Sequence, residues 1–137
     1  MARKKGITSK KKSTGKNHWG ELMVHAKRVM KGLGKGHRER VYHRAVITSL
    51  NHARVAHRSE VISPVYFMGE VVGFGRCDII IGNLVVEFKA NTKHPTKASS
   101  QLKKYIQSLS TTERRHFHGV VVNFNQKTGR VDVSAAN

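Results

Sequence analysis

The sequence predicts a single α/β domain in which two helices are followed by three strands, a third helix and two more strands. Three observations predict it. Apolar residues recur at helical spacing in three segments, and Val, Ile and Phe are interrupted by Gly in the middle of the chain. The 137 residues suffice for one hydrophobic core. We therefore expect a mixed sheet flanked by helices, in one domain covering residues 18–137.

The first two helices are predicted by apolar stripes near the start of the chain. One stripe covers about His18–Leu33, and several closely spaced glycines then end the pattern. A second stripe fits about His37–Ala53. Two consecutive amphipathic helices joined by a flexible, glycine-rich turn are the expected result.

The strands of the central region are predicted by residue type and by turns. Three antiparallel strands are expected between about Val55 and Ala90, where β-branched and aromatic residues dominate. Met68–Val71 and Ile81–Leu84 each place Gly first in a possible two-residue hairpin loop. That position of Gly is typical of a type II′ turn.

The remaining elements follow Pro95, which can start a helix. This third helix is expected to reach about Ser110, with an apolar stripe along one side. Gly119–Phe124 predicts a buried strand, and a turn at Asn125–Gly129 leads to a last short strand at Arg130–Val133.

The charge of the chain limits its partners. It has 26 Lys and Arg against 8 Asp and Glu, a net charge of +18, which favours a polyanion and above all nucleic acid, with DNA preferred. No apolar run approaches the roughly 18 residues that a membrane span needs, so no membrane partner is expected. Cys77 is the single cysteine, which excludes an internal disulfide. We expect an intracellular, reducing, DNA-associated location (nucleoid, nucleus or virion) and no secretion.

Residues 1–17 are expected to form a disordered basic arm, because they contain many cations, no acid and almost no apolar side chains. The alternatives are a phosphate-binding tail, a localisation signal and a solubilising tail, of which we favour phosphate binding. Its basic residues are Arg3, Lys4, Lys5, Lys10, Lys11, Lys12 and Lys16.

Two carboxylates are predicted to meet across the second hairpin. If Gly82 and Asn83 form its loop, paired residue numbers add up to 165, and Asp78 lies opposite Glu87. Since side chains alternate between faces, one face is expected to be an apolar core: Cys77, Ile79, Ile81, Leu84, Val86 and Phe88. The other face is expected to form a site: Arg76, Asp78, Ile80, Val85, Glu87 and Lys89.

Opposed carboxylates repel each other and need compensation. Arg76 and Lys89 could pair with them as ordinary ions, with Arg76 also available to bind nucleic acid. The reading that we favour is a divalent cation, Mg²⁺ or Mn²⁺, held by Asp78, Glu87 and the backbone carbonyl of Phe88. Lys89 would then orient an attacking water or stabilise charge on a phosphate, which predicts phosphodiester hydrolysis.

Five segments in order resemble the GxxExxY family of the PD-(D/E)XK nuclease superfamily. They are Gly36–Tyr42, Gly69–Gly73, Arg76–Asp78, Val86–Ala90 and Gln101–Tyr105. The resemblance covers about residues 21–133 and implies a restriction-endonuclease-like core. It also implies that Asp78, Glu87 and Lys89 match the catalytic motif. In the same pattern Glu39 is the helical acid of the metal site, and Gln101 is the polar residue that often follows the catalytic motif.

A divalent-metal-dependent endonuclease acting on DNA, or a protein derived from one, is the leading functional hypothesis. A non-enzymatic, basic DNA-packaging or virion structural protein on the same fold is the alternative, and an RNA-binding module is a third. A homodimer is possible, because one site cuts one strand.

Overall fold

The structure is a computed structural model that describes residues 15–136, and of residues 15–17 only the backbone. The helices are α1 (Gly15–Leu33), α2 (Glu39–His52) and α3 (Thr96–Glu113). The strands are β1 (Arg58–Ser59), β2 (Ile62–Phe67), β3 (Glu70–Arg76), β4 (Ile79–Ile81), β5 (Leu84–Lys89), β6 (His118–Phe124) and β7 (Val131–Ala135). The predicted fold class, α/β with three helices and a mixed sheet, is confirmed.

A five-stranded sheet forms the centre of the domain, in the order β1-β4-β5-β6-β7. β5 and β6 are parallel and are joined through α3, as a parallel pair requires a crossover, while the other neighbours are antiparallel. α1 and α2 pack on one face of this sheet and α3 on the other. β2 and β3 form a separate two-stranded sheet, and β2 packs against α3.

Both faces of β4 and of the first half of β5 are core, which corrects the prediction of one apolar face and one functional face. Ile79 and Val86 pack in the cluster under α1 and α2, whereas Ile80 and Val85 pack under α3, and all four are buried. Cys77 is buried as predicted, but it packs with the α3 cluster and not with Ile79. A central strand covered by helices on both sides has apolar residues throughout, so alternation cannot identify a solvent face.

The strand count between α2 and α3 also differs, with five strands where three were predicted. β1 is only two residues long and lacks a recognisable pattern. The predicted strand after the first hairpin divides at Cys77 and Asp78 into β3 and β4, which belong to different sheets. The break leaves Asp78 outside any strand, directly before β4.

One predicted hairpin turn is confirmed and the other is corrected. Ile81 pairs with Leu84 and Gly82 has a φ of 60°, as the type II′ prediction requires. In the first hairpin Phe67 pairs with Glu70, so the loop residues are Met68 and Gly69, with φ values of 51° and 82°. Two positive φ angles are typical of a type I′ turn, not of the predicted type II′ turn.

α1 begins at Gly15, three residues before the predicted His18, so the end of the predicted arm is helical. The rest of that prediction, residues 1–14, lies outside the described residues. Among residues 15–136, none of the helices combines the length and the apolar character needed to cross a bilayer.

Candidate metal centre

The site lies where the pairing of β4 with β5 ends. β4 pairs only with the first half of β5, through Ile79–Ile81 and Leu84–Val86. Just before β4, the Asp78 N–H donates to the Val86 carbonyl at 3.2 Å. The Asp78 carboxylate in turn accepts the Phe88 N–H at 2.7 Å. The side chain of Asp78 therefore continues the bonding along β5 where the backbone of β4 stops, and this contact fixes the carboxylate at the sheet edge.

Two further carboxylates meet Asp78 there. Glu87 comes from the second half of β5, and Glu39 is the first residue of α2, where the helix dipole favours an anion. One oxygen from each of Glu39, Asp78 and Glu87 lies within 4.8 Å of the other two. Elements far apart in sequence thus bring three of the eight acids of the chain to one point.

Burial makes this cluster electrostatically unfavourable on its own. The pKa of Glu87 is raised to about 7, first by burial and then by the neighbouring Asp78 carboxylate. Burial also raises the pKa of Asp78, although the Phe88 hydrogen bond opposes the change. The pKa of Glu39 is raised mainly by burial as well. Raised carboxyl pKa values mean that the negative charges are under-compensated.

The nearby basic side chains compensate the cluster only in part. Lys89 Nζ lies 3.5 Å from Glu87 Oε2, on the same side of β5, as predicted. His43 Nδ1 lies 3.8 Å from Asp78 Oδ1. Arg76 instead pairs with Glu60, with Nη1 3.0 Å from Oε1. Arg76 therefore does not form the ion pair with Asp78 or Glu87 that the predicted alternative required. Lys89 does form its predicted ion pair, with Glu87.

The carboxylates line an open cavity of about 420 Å³. Its lining residues are Glu39, Arg40, His43, Glu60, Arg76, Asp78 and Glu87. Arg76 and Glu60 are largely exposed at its rim, with 62% and 56% of their side chains accessible. Solvent and a polyanion thus have access to the acidic cluster past a cationic side chain.

Gln101 does not line this cavity. It is exposed on α3 and lines a different groove, of about 480 Å³, between α3 and the β2–β3 hairpin. The expectation that Gln101 joins the carboxylates therefore does not match its place in the fold. The spacing along α3 follows the family pattern, but side-chain direction depends on how that helix docks on the sheet.

Sequence reasoning did not identify three residues of the cavity, namely Arg40, Glu60 and His43 as a neighbour of Asp78. A signal for His43 was available, because it follows Glu39 by four residues and so lies on the same side of a helix. Its ring packs against Phe88 at 5.5 Å between centroids, and its Nε2 is buried without a hydrogen-bond partner among the described residues. Nothing in the sequence distinguished Glu60 or Arg40 as a site residue, since isolated charged residues are common on protein surfaces.

Comparison with known proteins decides the family. The family model described as the PD-(D/E)XK nuclease superfamily matches residues 16–135. The chain belongs to the PD-(D/E)XK nuclease superfamily. The predicted superfamily is thereby confirmed. No curated protein matches the chain significantly.

Solved structures with the same fold support this assignment at the level of fold. The crystal structure of SSO0001 has a TM-score of 0.55 and 20% identity, over 89% of this chain and 59% of that chain. A proposed exonuclease from Eubacterium rectale has a TM-score of 0.51 and 11% identity, over 95% of this chain and 61% of that chain. This PD-(D/E)XK chain thus spans about three fifths of the length of each.

The acidic cluster fits the divalent-metal site that is typical of PD-(D/E)XK nucleases. Its donors are carboxylate oxygens, which Mg²⁺ and Mn²⁺ prefer. They are close enough for one ion to contact all three residues, and burial leaves their charge short of compensation. The residues present therefore fit a divalent cation.

Proposed function

We propose that this chain is a GxxExxY-type PD-(D/E)XK protein and a divalent-metal-dependent nuclease that hydrolyses phosphodiester bonds of DNA. One observation carries the proposal: the carboxylates of Glu39, Asp78 and Glu87 converge within 4.8 Å in a chain with a net charge of +18. A partly buried acidic cluster opposes the binding of a polyanion unless a cation lies between the carboxylates and the polyanion. The combination is therefore expected of a site in which metal and phosphate meet.

The three carboxylates would hold Mg²⁺ or Mn²⁺, with the Phe88 carbonyl as a further ligand. The N–H and C=O of a paired strand residue point to the same edge. Because the Phe88 N–H is directed at Asp78, its carbonyl faces the same edge of β5. When bound, the cation would polarise phosphate oxygens and make water a better nucleophile near neutral pH.

Lys89 would act on the substrate itself. Its ammonium group lies at the edge of the cluster, 3.5 Å from Glu87, and its side chain is 26% exposed. In that position it can donate a hydrogen bond to a phosphate oxygen and stabilise the negative charge that develops during hydrolysis. Glu87 orients the ammonium, so the two residues would work as a unit.

Arg40 and Arg76 would attract the phosphate backbone. Both line the cavity beside the carboxylates. The basic N-terminal arm remains a predicted second contact with the substrate, and the chain has no motif that reads base sequence. Binding would therefore be mainly electrostatic and would weaken steeply with salt.

Incubation of purified protein with plasmid DNA, single-stranded DNA and RNA in Mg²⁺ or Mn²⁺ tests the proposal. Asp78→Asn keeps an acceptor for Phe88 but removes the charge. Asp132→Asn is the matched control, because Asp132 is the only other aspartate in the sequence. It lies in β7, at one edge of the sheet, and accepts a hydrogen bond from Asn125.

Cleavage of DNA that requires the metal, disappears in Asp78→Asn and persists in Asp132→Asn supports the proposal. Cleavage restricted to RNA would show that the substrate is RNA and not the proposed DNA. Tight, salt-sensitive binding without cleavage under any metal would support the non-enzymatic platform instead.

A further inference from the structure

The β2–β3 hairpin exposes apolar side chains to a degree seen nowhere else in the described residues. Eleven large hydrophobic residues are exposed in residues 15–136, and the great majority lie on this hairpin. They are Ile62, Val65, Tyr66, Phe67, Met68, Val71, Val72 and Phe74. Scattered exposed apolar residues are normal on a protein surface, but a contiguous group marks an interaction site.

The fold of the domain accounts for only one side of the hairpin. Ser63 hydrogen-bonds to Ser108 of α3, and Gly75 lies against the ring of Tyr105. Because side chains alternate along a strand, the neighbouring Ile62 and Phe74 point away from α3. They are 60% and 71% exposed.

β3 leaves an unpaired edge besides this apolar face. Its main contacts within the described residues are with β2, and the hairpin is a sheet of two strands only. Two-stranded hairpins are marginally stable alone, and unpaired apolar edges promote association with other strands. The arrangement therefore suits docking of a protein surface.

Charge indicates which kind of surface docks. Residues 62–75 contain no Lys or Arg and a single acid, Glu70, although the whole chain carries +18. A nucleic-acid partner would bind to the cationic surface elsewhere, because stacking surfaces for unpaired bases combine aromatic residues with cations. Because each copy of this chain has a net charge of +18, the cationic surfaces of two copies repel each other, and contact is favoured between surfaces without cations. The hairpin is such a region, and its apolar face is complementary to itself.

The area is also sufficient for self-association. The three aromatic residues of the hairpin are 57–71% exposed, so at about 150–250 Å² each they expose on the order of 400 Å² of surface, and five exposed aliphatic side chains add to it. A contiguous apolar area of this size marks an interaction site on a soluble protein.

We infer that the β2–β3 hairpin is a self-association surface that binds the same hairpin of a second copy of this chain. A symmetric pair buries Phe74, Val72 and Ile62 of both copies and leaves the cationic surfaces free. This inference concerns assembly and does not depend on the proposed nuclease activity.

Light scattering after size-exclusion chromatography tests the inference, with nucleic-acid-free protein in about 0.5 M NaCl to screen repulsion. We expect twice the mass of one chain at high protein concentration and dissociation on dilution. Val72→Lys should raise the dissociation constant at least tenfold. Val24→Lys is the matched control, because Val24 is exposed to a similar degree, 55% against 62%, on α1 outside the hairpin.

Hydrogen–deuterium exchange of the unaltered protein gives a second test that needs no variant. Amides of β2 and β3 should become protected as protein concentration rises, and those of α1 should not change. A wild-type protein that stays monomeric at all concentrations would overturn the inference. So would an equal effect of the two Lys variants, or hairpin protection that requires single-stranded DNA.

Discussion

The two halves of β5 have the same backbone conformation and opposite roles. Leu84–Val86 pair with β4 on one side and β6 on the other, and all three residues are at most 1% exposed. Glu87–Lys89 keep the pairing with β6, but no strand among residues 15–136 pairs with them on the β4 side. Glu87 and Lys89 remain partly exposed there, with 22% and 26% of their side chains accessible.

The difference arises from the length of the neighbouring strand, not from β5 itself. β4 is three residues long, so the edge of β5 opens where β4 ends, and Asp78 bonds to that edge through its side chain. The buried half of β5 is held by close packing, and it therefore fixes the position of the backbone of the open half. Side chains on a rigid strand beside a gap in the sheet can contact a ligand without losing their geometry.

Asp78→Asn should have the largest effect, because it removes a charge that would hold the metal at the open half of β5. We expect at least a 10³-fold loss of cleavage rate, on the scale of losing a group that stabilises the transition state. Single-turnover kinetics with saturating metal measure it. A loss of less than tenfold, or an equal loss in Asp132→Asn, would remove Asp78 from the site.

Leu84→Ala should destabilise the fold by about 3 kcal/mol, because it opens a cavity in the fully paired half of β5. Lys89→Ala, in the open half, should change the free energy of unfolding by less than about 1 kcal/mol while reducing cleavage. Urea denaturation monitored by circular dichroism compares the two. The comparison between the halves fails if Lys89→Ala is the more destabilising substitution.

Glu87→Gln should stabilise the metal-free protein at pH 8. The folded-state pKa of Glu87 is raised to about 7 from 4.5, so its contribution is fully present below about pH 4.5 and is lost as pH rises through 7. The neutral variant avoids that loss, which is on the order of 2 kcal/mol. The advantage should disappear at pH 4.5. Chelator-treated protein unfolded in urea at both pH values provides the measurement.

Glu113→Gln is the control for that experiment, with the opposite sign. A hydrogen bond from Arg58 lowers the pKa of Glu113, so its contribution is present above about pH 4.5 and is lost on acidification. This variant should therefore be less stable than the wild type at pH 8. Equal responses of the two variants would show that burial of Glu87 does not govern the effect.

Arg76→Ala should have the smallest effect. Loss of one phosphate contact at the rim of the site should weaken DNA binding a few-fold and reduce the slope of log affinity against log salt by about 1. Arg130→Ala, at the turn between β6 and β7, is the control and should leave the slope unchanged if that edge is free of DNA. Fluorescence anisotropy at several salt concentrations, in Ca²⁺ to suppress cleavage, measures both.

The helices and the second hairpin could be predicted because their signals are local. The apolar stripes located α1, α2 and α3 to within a few residues, and Gly82 set the register that pairs Ile79 with Val86. That register, with the cost of opposed carboxylates, was enough to predict that Asp78 and Glu87 lie together.

The remainder of the candidate site depended on contacts between distant segments. Glu39 was expected only through the family resemblance, since an acid at a helix start has no visible relation to a hairpin 40 or so residues later. Glu60 was missed for the same reason, whereas the position of His43 four residues after Glu39 in α2 was a local signal that could have been used. Gln101 was likewise expected at the site through the family resemblance, but it lies on α3 beside another groove.

The sequence by itself determined the charge, the helical stripes and the hairpin register, because each depends on composition or on residues within one turn of each other. Tertiary structure alone decided that β4 stops after three residues, that both faces of the first half of β5 are covered, and that the start of α2 lies beside Asp78. These features follow from how layers pack, and the free energy of packing is shared among residues far apart in the chain.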